Sequence, residues 1–182
     1  DVGTLGSYWE ANMELIDLIP EFNLYEEFWK IYTKQNRIEP QYISSDASVK
    51  KSITGAGNEI YGKVENSVLG AGVIVEEGAS IVDSIIMKNV VIKKGAHIEK
   101  AIIAEDCVIG EKTKVGVGEA AESKLNAKVY AFDLAVIGEN SVIPDNVTIG
   151  KNTAIRGVTT KEDFPQGKLE SGGYIIKEGE ES

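Results

Sequence analysis

From residue 43 onward the chain keeps a strict beat, with aliphatic residues returning every five or six positions and short polar runs between them. The segments 64–68 (VENSV), 81–85 (IVDSI) and 98–102 (IEKAI) align at a spacing of 17 residues. Each is followed by two six-residue units, starting at Leu69 and Val75, Ile86 and Ile92, and Ile103 and Ile109. With Ile81, Ile98, Val115, Ile137, Ile143, Ile149 and Ile155 these make thirteen frame positions, every one of them Ile, Leu or Val. The fourth residue after a frame position is small or aliphatic, as at Val73, Ala79, Val90, Ala96, Cys107, Thr113, Ser141, Val147 and Thr153. Two inward residues in six fit three short strands per turn of a solenoid, each coil covering the next at about 4.8 Å. The pattern therefore predicts an all-β chain, a parallel β-helix over 43–182. Its first coil, 43–63, carries Thr54 and Asn58 at inward places and is expected to be the weakest layer.

The beat is absent before residue 43. Ser7 followed by Glu10 has the spacing of a capping box, and Trp9, Met13 and Ile16 recur at helical intervals up to Pro20, which predicts a short amphipathic helix over 8–19. The stretch 22–32 is rich in aromatic residues (Phe22, Tyr25, Phe28, Trp29, Tyr32) and fits either a helix or an extended segment. Its rings are expected to pack under a neighbouring domain rather than stack on a base. With no initiator Met at Asp1, residues 1–42 read as a linker and helix joined to a domain upstream. The beat also stops from Gly116 to Val136, predicting a protruding loop of functional or interfacial use. That loop opens on Gly116-Val-Gly-Glu-Ala-Ala121, which imitates a dinucleotide fingerprint but is followed by no helix-sized apolar run. After Ile155 the chain is expected to form a cap, 156–182, ending in a strand at 174–176 that closes the open end.

Composition narrows the function. The 182 residues hold 19 Lys and Arg against 29 Asp and Glu, a net charge of −10, which disfavours nucleic acid and anionic membrane surfaces as partners. One cysteine excludes an internal disulfide, and no apolar run reaches the roughly 18 residues of a membrane span. The Asn146-Val-Thr148 sequon stands without a signal sequence, so the chain reads as cytoplasmic. His97, the single histidine, falls at an outward place and cannot alone define a triad or a metal site. Cys107 falls at an inward place and reads as a small core residue. No complete set of catalytic residues is visible.

The hexads, as in Ile109-Gly-Glu-Lys-Thr113 and Ile149-Gly-Lys-Asn-Thr153, resemble those of hexapeptide-repeat proteins, whose coils wind left-handed; the hand comes from the resemblance, not from the period. Further segments resemble bacterial glucose-1-phosphate adenylyltransferases: 1–15 (DVGTLGSYWEANMEL), 23–25 (NLY), 29–32 (WKIY), 40–43 (PQYI), 64–69 (VENSVL) and 83–87 (DSIIM). The match runs in order along nearly the whole chain. It implies a regulatory and oligomerisation domain, C-terminal to a nucleotidyltransferase domain that makes ADP-glucose and pyrophosphate from ATP and glucose 1-phosphate for glycogen synthesis. It implies further that the Asp1 carboxylate helps hold a catalytic Mg²⁺ in the parent enzyme, that the parent is a homo-oligomer, a tetramer, and that a sugar phosphate acts as effector. Where plant members carry activator lysines in the matching hexads, this chain has Glu105 and Gly138, so Lys151, Arg156 and Lys161 are the candidate effector contacts, with no cofactor expected in the fragment itself. Whether the parent is catalytic or a non-catalytic paralogue is decided upstream. Two alternatives remain open: a hexapeptide acyltransferase acting as a trimer through His97, and the corresponding domain of another sugar-nucleotide pyrophosphorylase.

Overall fold

The structure, a computed structural model, describes residues 3–17 and 39–177. Asp1 and the aromatic stretch 22–32 lie outside the described residues.

Residues from Tyr42 onward build a triangular prism of three parallel sheets. Sheet A is six strands deep, from Tyr42–Ile43 to Val142–Ile143. Sheets B and C are each seven strands deep, from Ser48–Lys50 to Lys168–Leu169 and from Ile53–Thr54 to Tyr174–Ile176. Each strand pairs in parallel with the strand one coil above and one coil below, for example Ile98 with Ile81 and Val115. The expected parallel β-helix is therefore observed, and its register puts like residues in columns.

The thirteen frame residues are all at most 2% exposed, and so are the nine small residues four places on. Burying one such aliphatic side chain contributes about 1.5–3 kcal/mol, so this inner lining is the main source of stability. The polar members of the lining bond to the backbone at the corners. The Thr113 hydroxyl donates to the Pro144 carbonyl at 2.7 Å, and the Ser141 hydroxyl to the Gly138 carbonyl at 2.6 Å. In the 17-residue motif, Ser84 receives the Ala101 amide at 3.0 Å, and its own amide donates to Ser67 at 3.1 Å, which explains a serine at that place. Asn58 is fully buried and accepts from the Val73 amide at 2.8 Å, while its Nδ2 has no partner among the described residues.

The helix, α1 (Leu5–Glu14), differs from the expectation at both ends. Its cap is Thr4 rather than Ser7: the Ser7 amide donates to Thr4 Oγ1 and the Thr4 amide to Ser7 Oγ, both at 3.0 Å. Thr4 wins because starting there brings Leu5 into the apolar stripe with Tyr8, Trp9 and Met13. The helix stops at Glu14, and Leu15–Asp17 form a turn.

At the far end the chain closes with a capped turn over 160–164 and the expected final strand. Tyr174–Ile176 extends sheet C beside Thr153–Arg156, but the plug is Phe164, which is 2% exposed and packed into the core between two short 3₁₀ turns. Lys177 Nζ at 2.6 Å and the Thr160 amide hold the Asp163 carboxyl below its usual pKa, tying this cap together.

Two outcomes test this account. Ile103→Asp, which removes a core aliphatic and buries a carboxylate, costs on the order of 5 kcal/mol and abolishes the cooperative thermal melt, while Lys114→Asp on the outer face leaves it in place. Because the folded Asp163 pKa is lowered, its contribution is present at neutral pH and lost as pH falls through that value. Amide exchange across 160–177 accelerates below about pH 4, ahead of the core, and Asp163→Asn removes that pH dependence.

Candidate functional site

The outer surfaces of the three sheets carry different chemistry, because side chains alternate across each strand and the register stacks them. On sheet B the outward column reads Ser48, Lys63, Ser80, His97, Lys114, Thr148 and Lys168, a face suited to water. On sheet C it reads Ile53, Val68, Ile85, Ile102, Val136, Ala154 and Tyr174. The middle of this apolar column is covered by α1. Leu5, Tyr8, Trp9 and Met13 pack against Ile85, Ile102 and Leu134, which are at most 4% exposed.

This joint is specific as well as apolar. Asp83 adopts a left-handed turn at the corner before sheet C (φ 49°), and its carbonyl accepts from the Trp9 indole Nε1 at 2.8 Å. Lys100, at the same corner one coil on, holds its ammonium 5.2 Å from the Trp9 ring centroid. Asn66, one coil below, donates to the Asp83 carboxylate at 2.6 Å and fixes that turn. At the other end, Gly6 is buried where any side chain would collide: a β-carbon there would lie 2.5 Å from the Phe132 ring. Phe132 is itself left-handed (φ 61°), a costly conformation for a bulky residue, and stands half-exposed on the loop that interrupts the beat. That loop leaves sheet B at Gly116, where a β-carbon would strike the Glu99 carbonyl, and re-enters sheet C at Ala135, two residues before the expected frame position.

The loop also walls a groove of about 440 Å³ against the end of sheet B, with Gly118, Glu119, Thr148, Lys168, Glu170 and Ser171 in its lining. Lys168 is paired with Glu170 at 2.8 Å and Ser171 Oγ accepts from the Lys151 amide at 2.9 Å, so the groove has no surplus of cations.

The residues singled out from sequence fall as follows. Lys151 stands at the corner before Thr153–Arg156 and Arg156 ends that strand, so the two leave the prism at different corners; Lys161 lies in the 3₁₀ turn beyond. Arg156 is 3.8 Å from Glu139, both well exposed, and Glu105 holds Lys88 at 2.9 Å. His97 is on the outer face of sheet B, with Nδ1 2.7 Å from Ser80 Oγ and Nε2 3.4 Å from Glu99. Cys107 is fully buried, its thiol donating to the Gly138 carbonyl at 3.0 Å, and burial pushes its pKa up, which suits packing and not nucleophilic attack. Among the described residues no group of three or more His, Cys, Asp or Glu side chains could hold a metal ion, and no helix is long and apolar enough to cross a membrane. The joint under α1 escaped the sequence reading, although its signal was there: Ile85 and Ile102 sit beside frame residues, at outward places where a solvated strand would be polar.

Comparison with known proteins fits this architecture. Curated glucose-1-phosphate adenylyltransferases from Lachnospira eligens, Acetivibrio thermocellus and Thermotoga maritima are 64%, 47% and 53% identical over 99%, 99% and 97% of the chain. The chain spans 43%, 42% and 42% of their respective lengths. Among solved structures, the acetyltransferase domain of PglB from Neisseria gonorrhoeae is 20% identical with a TM-score of 0.45, covering 72% of this chain and 55% of that one, a likeness too low to carry a functional conclusion. A family model described as "GlmU-like, C-terminal hexapeptide" matches residues 37–136, and with the hexad beat and the three parallel sheets this establishes that the chain belongs to that hexapeptide-repeat family.

Proposed function

We propose that the chain is the C-terminal regulatory and assembly domain of a glucose-1-phosphate adenylyltransferase, which joins ATP and glucose 1-phosphate to give ADP-glucose and pyrophosphate in the cytoplasm. The observation that carries this reading is the 64% identity to one such enzyme along 99% of the chain. The joint under α1 supports it, because a helix clamped on sheet C by apolar packing and the Trp9–Asp83 bond is what a rigid attachment to an upstream domain requires.

In this reading the adenylyl transfer belongs to the upstream part of the parent, where a Mg²⁺, for which Asp1 would supply one carboxylate ligand, would offset the charge of the phosphates. The described residues contribute no step of the chemistry. The parent is a homo-oligomer, a tetramer, and a sugar-phosphate effector meets the last coil through Arg156 and Lys161, with Lys151 at the neighbouring corner.

Pyrophosphate release from ATP and glucose 1-phosphate tests the reading. The full-length parent turns over, and the isolated chain gives no signal above background. Trp9→Ala in the parent weakens the joint by about 2–3 kcal/mol and lowers the response to a sugar-phosphate effector, with fast amide exchange over 5–14 and an unchanged core melt. Arg156→Glu with Lys161→Glu raises the effector concentration for half-activation about tenfold or more. Adenylyl transfer by a parent that prefers another sugar, or acetyl transfer from acetyl coenzyme A by the isolated chain that is lost in His97→Ala, would overturn it.

A further inference from the structure

The outer face of sheet B carries a set of side chains that the reading of the parent leaves unused. Over five coils its outward column runs Ser48, Lys63, Ser80, His97 and Lys114, with neighbours about 4.8 Å apart. Glu99 lies two places beyond His97 on the same strand and faces the same way. Ser80 Oγ is 2.7 Å from His97 Nδ1, and His97 Nε2 is 3.4 Å from Glu99 Oε2. A carboxylate can only accept, so in the neutral ring the nitrogen that faces it, Nε2, carries the hydrogen. Nδ1 is then a bare lone pair, and the Ser80 hydroxyl donates to it. A hydroxyl donating to an imidazole that a carboxylate holds from the far side is the arrangement that makes serine a nucleophile. His97 alone could not define such a set; the coil spacing is what brings Ser80 beside it.

We propose that Ser80 is an activated nucleophile, a site of covalent modification by phosphoryl esters that carry a good leaving group. His97 is the base and Glu99 the residue that positions it. In the step, Ser80 Oγ forms a bond to phosphorus, the bond from phosphorus to the leaving group breaks, and the leaving group departs as an anion with its electron pair. The hydroxyl proton passes to His97 Nδ1 and from there to water. The backbone selects phosphorus over a carboxylic ester. The Ser80 amide donates to the Ala96 carbonyl and the His97 amide to the Thr113 carbonyl, so these amides are spent in the sheet and form no oxyanion hole. A cation stands in for them: Lys63, the outward neighbour of Ser80 on the side away from His97, brings an ammonium within reach of the phosphoryl oxygens as charge grows on them.

Exposure sets the strength of the effect. The His97 and Glu99 side chains are 35% and 45% exposed, so water competes for both the hydroxyl and the base. General-base assistance is typically about 10²–10⁴-fold, and an open site falls at or below the low end of that range. Ser48 supplies an internal reference. It flanks Lys63 from the other side on the same face and is half-buried like Ser80, but its column gives it no imidazole neighbour. This inference rests on the register of sheet B and not on the reaction of the parent. The transferred group stays on Ser80, which separates it from acetyl transfer to a soluble acceptor.

Labelling of the 182-residue chain with an alkyl fluorophosphonate, read by intact mass and peptide mapping, tests it; fluoride leaves and the phosphonyl group stays on the attacking oxygen. The expected result is one group per chain, on Ser80, gained about ten to a hundred times faster than at Ser48. His97→Gln brings Ser80 down to the rate of Ser48 with an unchanged melt, since the side chain points outward. Glu99→Ala slows labelling severalfold, and Glu99→Gln, which keeps an acceptor oxygen for Nε2, restores most of the rate. Lys63→Met slows both serines. Equal rates at Ser80 and Ser48 in the folded chain, a His97→Gln chain labelled like the unsubstituted one, or a preference for Ser80 that survives unfolding in urea would each overturn the proposal.

Discussion

No coil of this chain can bury its own inward residues; they are covered only by the coil above and the coil below. The whole structure depends on that dependence. Parallel pairing at about 4.8 Å brings Ile81, Ile98, Val115 and Ile149 into direct contact along sheet B, and equivalent columns line sheets A and C. The hydrogen bonds that run up each face are satisfied only if the residues stay in register. Register and burial therefore enforce each other, and an error in one coil passes to its neighbours. The two ends carry the cost: Ile43 is 44% exposed in the first coil, and at the other end Phe164 must be driven inward to cover the last layer.

The same rule explains what was legible in advance. Inward residues see only other inward residues, so their chemistry repeats, and the repeat is visible in one dimension. All thirteen frame positions and the nine small residues four places on are buried as the beat implies. The features that were misjudged or missed all involve contacts between parts of the chain with no common period. Thr4 displaced Ser7 as the cap of α1 because Leu5 has a partner on sheet C that local spacing does not reveal. Phe164 plugs the end because of where two 3₁₀ turns aim it, and nothing in its neighbours marks it as a core residue. Apart from these features, Lys151, Arg156 and Lys161 are close in sequence, and the strand Thr153–Arg156 sets Lys151 and Arg156 at different corners of the prism. Nearness along a solenoid coil is a poor guide to nearness in space, since every sixth residue or so the chain changes face.

What distinguishes one hexapeptide chain from another is accordingly on the outside, where the repeat imposes a place but not a residue. Each outward column samples one position per coil, so a face becomes polar or apolar only if many separate substitutions agree. Seven agreements on sheet B and seven on sheet C are difficult to attribute to packing, because these side chains do not enter the core. At Ile85, Ile102 and Val136 the apolar agreement on sheet C has its cause in α1.

A solid lining also limits how such a domain can carry a signal. The core is lined by buried aliphatic side chains, its one cysteine bonded to a backbone carbonyl, and a side chain that took a second position there would leave a void. A message from one end to the other cannot be an internal rearrangement, since moving one coil would break its bonds to both neighbours. Any displacement of the prism is therefore a rigid-body one, felt where other elements rest on its faces. Trp9, held at once by the Asp83 carbonyl and the Lys100 ammonium, is bound to two adjacent coils, so a shift of the prism is passed to α1 without slack. The strained Phe132 at the opposite end of α1 fixes the second point. Two anchors define the direction of a helix where one would leave it free to pivot.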